Sequence, residues 1–300
     1  MERLKGFFYV TAAVLAWGAY FPFAKILLEK VSLPTFLTLR LGIGAAVLYL
    51  LCAVLKKPLG FPRKDLFWVG LGGISGVLLH QLLQVEGIKY TSATNVGWIL
   101  TLIPPVTGIM AWVFLGEPIM RRQVAGLVLA MGGLLLFVSR GHLESLSMIR
   151  NYGDLLCFFS VFTWSIYNVT NKYALCRHDP LPVSALQMAM GFFFFLGLGA
   201  VRIPQEVVAL DTREWLIAVA IGLVPSGLAY HWWNAGLKRL PALDTNMFLF
   251  PEAIFASLAG HWVLGEVFTL PMVLYAAVIF SGVYIAVGKR MVVDYPRVKG

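Results

Sequence analysis

The chain contains a second copy of its own pattern, and this internal repeat limits the folds that it can adopt. Trp17 and Lys25 recur 147 residues later as Trp164 and Lys172. Six further residues recur at a shift of 149: Gly87, Lys89, Ala93, Gly116, Glu117 and Gly133 return as Gly236, Lys238, Ala242, Gly265, Glu266 and Gly282. The repeat predicts two matched halves, 1–146 and 147–300, within one integrated domain.

The composition places both halves in a membrane. Hydrophobic residues make up 59% of the 300 residues and charged residues only 13%, whereas about a quarter of a soluble domain is charged. A membrane-crossing helix needs about 20 apolar residues. Ten segments approach this length, at roughly 7–28, 34–55, 66–86, 93–115, 122–139, 153–175, 182–201, 214–235, 243–264 and 270–288. We therefore expect an all-α integral membrane protein with ten transmembrane helices.

The number of spans in each half determines how the halves are related. Five crossings are an odd number, so the second half enters the membrane from the opposite side to the first. The sequence thus predicts two inverted five-helix repeats. Many secondary transporters have this architecture, with the substrate site near the bilayer midplane between the repeats. Transport is therefore the first function to consider.

The basic residues indicate the topology. The net charge is +9, but Lys and Arg are concentrated in short links between the apolar segments, which argues against a nucleic-acid partner. Most of the 24 Lys and Arg residues fall on the side of the N-terminus. Because cytoplasmic loops carry an excess of these residues, we expect a multi-pass protein of the cell (inner) membrane with both termini in the cytoplasm.

The sequence gives no sign of a cofactor. The three cysteines, Cys52, Cys157 and Cys176, have no paired spacing, and no histidine motif for a metal is present. We therefore expect no metal, no prosthetic group and no catalytic residue.

Several short motifs resemble those of a known family. Trp17-Gly18 lies midway along the first segment, Gly116-Glu117-Pro118 closes the fourth, and Gly265-Glu266 closes the ninth. Together with the duplication and the ten spans, they resemble the drug/metabolite transporter superfamily, and within it the ten-helix EamA-type exporters. The resemblance extends to about residue 290. The second half departs from it, with Val267 in place of Pro118 and Ser165 in place of Gly18.

The resemblance carries expectations about fold and function. It implies an inner-membrane carrier for small metabolites, often amino acids, in a bacterium or archaeon. It also implies that the fifth and tenth spans lie at the periphery, while the other eight surround a central cavity. Export as the direction of transport is implied by the resemblance alone.

Glu252 is the strongest candidate for a substrate-binding residue. It lies near the centre of the ninth segment, directly after Pro251, with no Lys or Arg within a helical turn. Ionisable groups inside a membrane are costly and usually functional, and a proline frees a carbonyl at the kind of helix break that transporter sites use. We expect Glu252 to bind a substrate ammonium or a coupling proton. The alternative is a protonated side chain hydrogen-bonded to a neighbouring helix.

Further candidates lie on the third and eighth segments. His80 shares a helical face with Gln84, and Tyr230 precedes His231 in a run of aromatic residues. A neutral histidine could relay protons to Glu252. A buried histidine satisfied by an interhelical hydrogen bond is an equal alternative.

Aromatic and polar stripes mark the first and sixth segments. Trp17 and Tyr20 share one face, as do Trp164 and Asn168. The two tryptophans lie too deep for the aromatic belts found at membrane interfaces. Cavity lining is therefore the functional interpretation, and core packing is the alternative.

The fourth and ninth segments complete the candidate set. Asn95 and Trp98 share a face, and Phe248 shares one with Glu252. For Asn95 and its counterpart Asp244, helix capping is the favoured alternative because both stand at segment starts. Glu117 and Glu266 sit at helix junctions, where each is expected to satisfy the N-terminus of the next helix.

These patterns favour a secondary transporter for an amino acid or a related amine, working by alternating access among membrane lipids. A carrier for an anionic or phosphorylated metabolite would need two or more inward cations, and only Arg40 lies within a span. A membrane enzyme would need clustered acids or histidines at the surface, and a sensor remains a third possibility. A monomer is favoured and a dimer is possible; the small-residue motif of Gly72 and Gly76 is compatible with close helix contact inside one monomer as well as with dimerisation.

Overall fold

The computed structural model describes residues 1–91, 93–143 and 151–288. The predicted boundary between residues 146 and 147 lies outside the described residues. So do Arg150 and the basic residues after Gly288 that entered the charge comparison.

The described residues form ten membrane-length helical segments, which we number as spans 1 to 10. The spans are Glu2–Leu28, Leu33–Val54, Arg63–Ile88, Ala93–Leu100 with Ile103–Leu115, Arg121–Val138, Tyr152–Leu175, Pro180–Gly199, Thr212–Arg239, Ala242–Met247 with Glu252–Leu264, and Leu270–Val287. A short helix, Ile203–Val208, links spans 7 and 8.

Nine of the described spans are long and apolar enough to cross a membrane by length and composition. Span 6 is the tenth; its 24 residues would extend about 36 Å at 1.5 Å per residue, but it carries more polar side chains. The predicted all-helical, ten-span architecture is confirmed.

The inverted repeat is visible in the irregular parts of the helices. Span 3 contains a π-helical turn at Gly73–Leu79, and span 8 contains one at Gly222–Leu228, 149 residues later. Spans 4 and 9 both end in a left-handed glycine, Gly116 with φ 67° and Gly265 with φ 70°. Positive φ is a conformation that glycine adopts without steric penalty. The two halves therefore share irregular features as well as helix lengths.

Prolines break spans 4 and 9 at matching positions. Span 4 restarts at Ile103, followed by Pro104, and span 9 restarts at Glu252, preceded by Pro251. Proline lacks a backbone N–H and is tolerated near a helix start but not in a helix interior. The breaks therefore place Ile103 and Glu252, which correspond by the repeat, at the first position of the second helical segment of their spans.

The two halves pack into each other rather than side by side. Span 1 packs against spans 8 and 9, and span 6 makes the equivalent contacts with spans 3 and 4. Span 2 packs against span 7, and span 5 packs against span 10. These exchanged contacts are those expected of two inverted repeats. Apart from their contact with each other, span 5 packs mainly against span 4 and span 10 mainly against span 9.

Side-chain contacts distinguish the two membrane faces. On the face that we call terminal, Arg239 pairs with Glu2 at 2.9 Å and Arg3 donates to the carbonyl of Gly288 at 3.3 Å. On the same face Lys57 pairs with Asp179 at 2.7 Å, and this hydrogen bond raises the pKa of the Lys57 ammonium. On the opposite face, which we call distal, Lys30 lies 3.6 Å from Glu214. Both faces are therefore held by ion pairs between different spans.

Spans 5 and 10 meet at a glycine contact that gives the first testable prediction. A Cβ on Gly126 would lie 2.6 Å from the backbone nitrogen of Ala286, whereas Gly132 on the same helix has no neighbour within 4 Å. We expect Gly126→Ala to lower the stability of the protein by about 1–3 kcal/mol, because the helices must move apart. The measurement is thermal unfolding in detergent, with Gly132→Ala as the control. Equal melting temperatures for the two variants would show that this contact is not close.

Candidate functional site

The repeat-related tryptophans meet in the middle of the molecule. The Trp17 ring centroid lies 5.5 Å from that of Trp164, 5.4 Å from Tyr230 and 5.2 Å from Trp233. The Trp17 indole donates to the carbonyl of Pro225, at 2.8 Å, in the π-helical turn of span 8. Three candidates from spans 1, 6 and 8 are thus brought together, with Trp233 added by the structure.

His80 joins this aromatic cluster from span 3. Its ring centroid lies 4.8 Å from that of Trp164, and its Nδ1 lies 3.0 Å from the carbonyl oxygen of Ser160. Because a carbonyl only accepts, Nδ1 must donate, which fixes the position of one ring proton. His80 therefore makes the interhelical hydrogen bond that the sequence analysis gave as the alternative. A proton relay to Glu252 stays a prediction, as does a role for the half-buried Gln84.

Glu252 lies where span 9 packs closely against span 1. A Cβ on Gly18 would lie 2.5 Å from the Cβ of Phe255 and 2.9 Å from the backbone oxygen of Glu252. The glycine that follows Trp17 thus allows the broken part of span 9 to pack against span 1. Within the described residues the Glu252 carboxylate makes no hydrogen bond and no ion pair, so the predicted alternative of a packing hydrogen bond is not observed there.

Arg40 is a charged residue that was not included in the candidate set. Its side chain is buried, its Nε donates to Ser226 Oγ at 2.9 Å, and its Nη1 lies 3.4 Å from the Tyr20 hydroxyl. Its guanidinium lies over the Tyr20 ring, 4.9 Å from the centroid. No described carboxylate forms an ion pair with it. Arg40 therefore brings an unbalanced positive charge into the interior beside a predicted site residue.

Tyr230 lies within electrostatic range of both charged groups, Arg40 and Glu252. Its hydroxyl accepts a hydrogen bond of 2.6 Å from Gln81. Tyr230 and Gln81 correspond by the 149-residue shift, so the repeat could have identified Gln81. The site thus combines a carboxyl group, a guanidinium cation and several aromatic side chains.

Asn168 lies in a polar network rather than beside open space. It is fully buried, accepts from the Trp233 indole at 3.0 Å, and donates to the carbonyl of Trp164 at 2.8 Å. It also lies 3.4 Å from Asn246 on span 9. Its hydrogen-bonding groups are occupied by protein in this conformation, and its predicted contact with substrate remains untested.

A second set of buried polar side chains lies closer to the terminal face, around Asn234, and we include it in the polar network. The Asn234 side chain accepts from Tyr167 at 3.2 Å and from Asn171 at 2.9 Å, and it donates to Ser184 at 2.9 Å. Gln187 extends it with a 2.7 Å bond to Asn171. All these residues are fully buried. Spans 6, 7, 8 and 9 are thus joined by side-chain amides on the terminal side of the tryptophans.

Several buried polar atoms outside the polar network have no hydrogen-bond partner among the described residues. They include the indole nitrogens of Trp98 and Trp164 and the Oε1 of Gln81. Tyr20, Trp98 and Glu252 are also partly exposed. The interior can therefore offer free donors and acceptors to a small molecule on the distal side of the polar network.

Two capping predictions are wrong. Asn95 lies inside its helix and donates to Asp154 on span 6 at 3.1 Å. Asp244 is also inside its helix and accepts from Gln123 on span 5 at 2.5 Å. Both side chains link spans that are distant in sequence, which local sequence position cannot reveal. Asn95 is buried in this contact, and its substrate role stays a prediction.

Glu117 satisfies the N-terminus of a helix, as predicted, but this helix is not the next one in the chain. Its Oε2 accepts from the backbone N–H of Ala242 at 2.7 Å, and its Oε1 lies 3.4 Å from Lys172. The helix start that it satisfies is therefore that of span 9 and not that of the next helix. The remaining candidate, Phe248, is half-buried and packs against Phe7 near the terminal face, with ring centroids 5.6 Å apart.

Known proteins similar to this chain are named transporters. An uncharacterized transporter of Bacillus subtilis (strain 168), YyaM, is 25% identical over 98% of this chain and 97% of its own length. A probable terminal-alkyne amino-acid exporter of Streptantibioticus cattleyicolor is 24% identical over 89% of this chain and 88% of its own length. One solved crystal structure, 20% identical, is similar with a TM-score of 0.78 over 95% of this chain and 96% of that one, which shows the fold alone.

The family match follows the internal repeat. The model of the EamA-like transporter family matches residues 4–139 and again residues 151–288, once in each half. Together the two matches cover most of the chain, and they agree with the helical breaks and glycine caps that recur in the structure. The chain belongs to the EamA-like transporter family, within the drug/metabolite transporter superfamily.

Proposed function

We propose that this transporter carries an amino acid or a related amine across the cell (inner) membrane by alternating access. The observation that carries the proposal is Glu252, a carboxylate at a mid-span helix break without a basic partner among the described residues. An ammonium group is the natural counter-charge for such a carboxylate. The similarity to a protein named as an amino-acid exporter supports the same cargo.

The orientation is part of the proposal. The excess of Lys and Arg on the terminal side supports cytoplasmic termini. The polar network then lies between the site and the cytoplasm, and the partly exposed residues lie towards the outside. We propose export as the direction and a proton as the coupling ion, with Glu252 holding either the ammonium or the proton.

The two states of the carrier would differ in which side of the aromatic cluster is closed. In the present conformation amide hydrogen bonds join the spans on the terminal side of Trp17 and Trp164. A cytoplasm-facing state requires these bonds to part while the distal side closes. Trp17, Trp98 and Trp164 would line the space that changes access. All of these steps need only binding groups, and we assign no catalytic residue.

Flux in proteoliposomes tests this function. The purified protein is reconstituted, and the entry of each labelled L-amino acid is followed with and without an imposed pH gradient. We expect saturable movement of a small set of amino acids, faster with the gradient than without it. Empty liposomes are the control. Movement of phosphorylated metabolites in place of amino acids, or of no amino acid at all by folded protein, would overturn the proposal.

A further inference from the structure

Arg40 has the features of a ligand-binding group and not those of a structural ion-pair partner. It is 2% exposed and lies within span 2. Its described partners are neutral: the Ser226 hydroxyl, the Tyr20 hydroxyl and the rings of Tyr20 and Phe36. An arginine has five N–H donors and always carries its charge. A buried charge of this kind is costly unless an anion balances it.

Glu252 does not balance this charge by direct contact. It forms no ion pair with Arg40, although both groups lie within electrostatic range of Tyr230. The two opposite charges are thus near the same phenol without neutralising each other by contact. Such an arrangement leaves both groups free to bind opposite charges on a third molecule.

Unsatisfied polar atoms lie in the same region. Gln81, which binds the Tyr230 hydroxyl through its Nε2, has a buried Oε1 without a partner in the described part of the chain, and the buried indole nitrogen of Trp164 has none there either. The first is an acceptor and the second is a donor. A ligand with both an ammonium and a carboxylate would supply the donor and the acceptor that these atoms lack.

We infer that Arg40 binds the carboxylate of the cargo, so that the transporter selects zwitterionic amino acids over simple amines. The planar guanidinium matches a carboxylate with two parallel hydrogen bonds. Glu252 would hold the ammonium at the other end, and the Trp17, Trp164 and Tyr230 rings would form the wall between the two charges. This inference rests on the proposed function and makes it narrower.

Competition in the wild-type protein provides the first test. One labelled L-amino acid that the liposomes accumulate serves as the probe. The competitors are the same amino acid unlabelled, the primary amine that lacks its carboxylate, and the acid that lacks its amino group. Because hydrogen bonds to charged groups are among the strong ones, we expect both analogues to compete at least about tenfold more weakly. An amine that competes as well as the amino acid would overturn the inference while leaving amino-acid transport intact.

Variants assign the two charges to the two ends of the cargo. We expect Arg40→Gln to bring the amine and the amino acid to within about twofold of each other as competitors, and Arg40→Lys to keep part of the discrimination. Glu252→Gln should instead lose discrimination against the deaminated acid. Arg202→Gln, which alters an exposed arginine beyond span 7, is the control. Unchanged discrimination in folded Arg40→Gln would overturn the role of Arg40.

The two proposals fail in different ways. If the wild type moves no labelled amino acid, the proposed function fails and the inference fails with it. If amino acids move but the amine competes equally, only the inference fails. If Arg40→Gln does not remain monodisperse on gel filtration, the wild-type competition series and the Arg40→Lys variant still test whether Arg40 binds the carboxylate.

Discussion

Replacing Glu252 with glutamine is expected to reduce amino-acid flux about tenfold to a hundredfold without unfolding the protein. Glutamine has the same shape but no charge, so it cannot balance an ammonium or carry a proton. Hydrogen bonds to charged groups contribute about 1.5–3 kcal/mol, which corresponds to this range of rates. Because the carboxylate has no hydrogen-bond or ion-pair partner among the described residues, its replacement breaks no described hydrogen bond or ion pair.

The measurement is the initial rate of labelled amino-acid exchange in proteoliposomes over a range of pH values. Glu29→Gln, which changes an exposed acid beyond the distal end of span 1, is the matched control and should keep the wild-type rate. Glu252→Asp keeps the charge but withdraws it by one methylene, and we expect an intermediate rate. A Glu252→Gln protein with the wild-type rate at every pH would exclude a role for this carboxylate.

The sequence singles out Glu252 because its signal is local, although its contact with substrate stays a prediction. A lone acid beside a proline in an apolar segment is visible without knowledge of any neighbour, and the structure places it at a helix break. The ten spans and the inverted repeat were predictable for the same reason, since apolar length and a fixed residue shift are properties of the chain itself.

Residues whose role depends on distant partners were harder to predict. Asn95 and Asp244 look like caps because they stand at segment starts, yet they bind Asp154 and Gln123 from other spans. Arg40 is not in the candidate set, because one sequence does not show that the described partners of this residue are uncharged. The repeat relation between Gln81 and Tyr230 could have added one residue to the candidate set.

The amide network illustrates the same limit and leads to the second large expected effect. Asn234 was not among the candidates, but it makes three hydrogen bonds that join spans 6, 7 and 8. Its counterpart in the first half is Val85, which cannot make such bonds. The two inverted halves therefore differ at this position, because the hydrogen bonds of Asn234 have no equivalent at Val85.

We expect Asn234→Leu to open the terminal side of the carrier. Interhelical hydrogen bonds in membranes average about 0.6 kcal/mol each, so the loss of three weakens the closed state by about 2 kcal/mol. That is more than a tenfold shift between closed and open populations. The reporter is a cysteine at Thr245, a buried residue whose hydroxyl donates only to the Pro241 carbonyl of its own helix among the described contacts. The exposed Cys176 is replaced by serine beforehand.

Labelling of the Thr245→Cys reporter by a membrane-impermeant maleimide from the terminal side should then become at least about tenfold faster. Exchange of amino acids should slow, because a carrier that cannot hold one side closed completes fewer cycles. Val85→Leu introduces the same side chain at the repeat-related position and serves as the control, with wild-type labelling expected. If Asn234→Leu is folded and its labelling is unchanged, the network contributes packing alone, and closure of the terminal side must depend on the aromatic cluster instead.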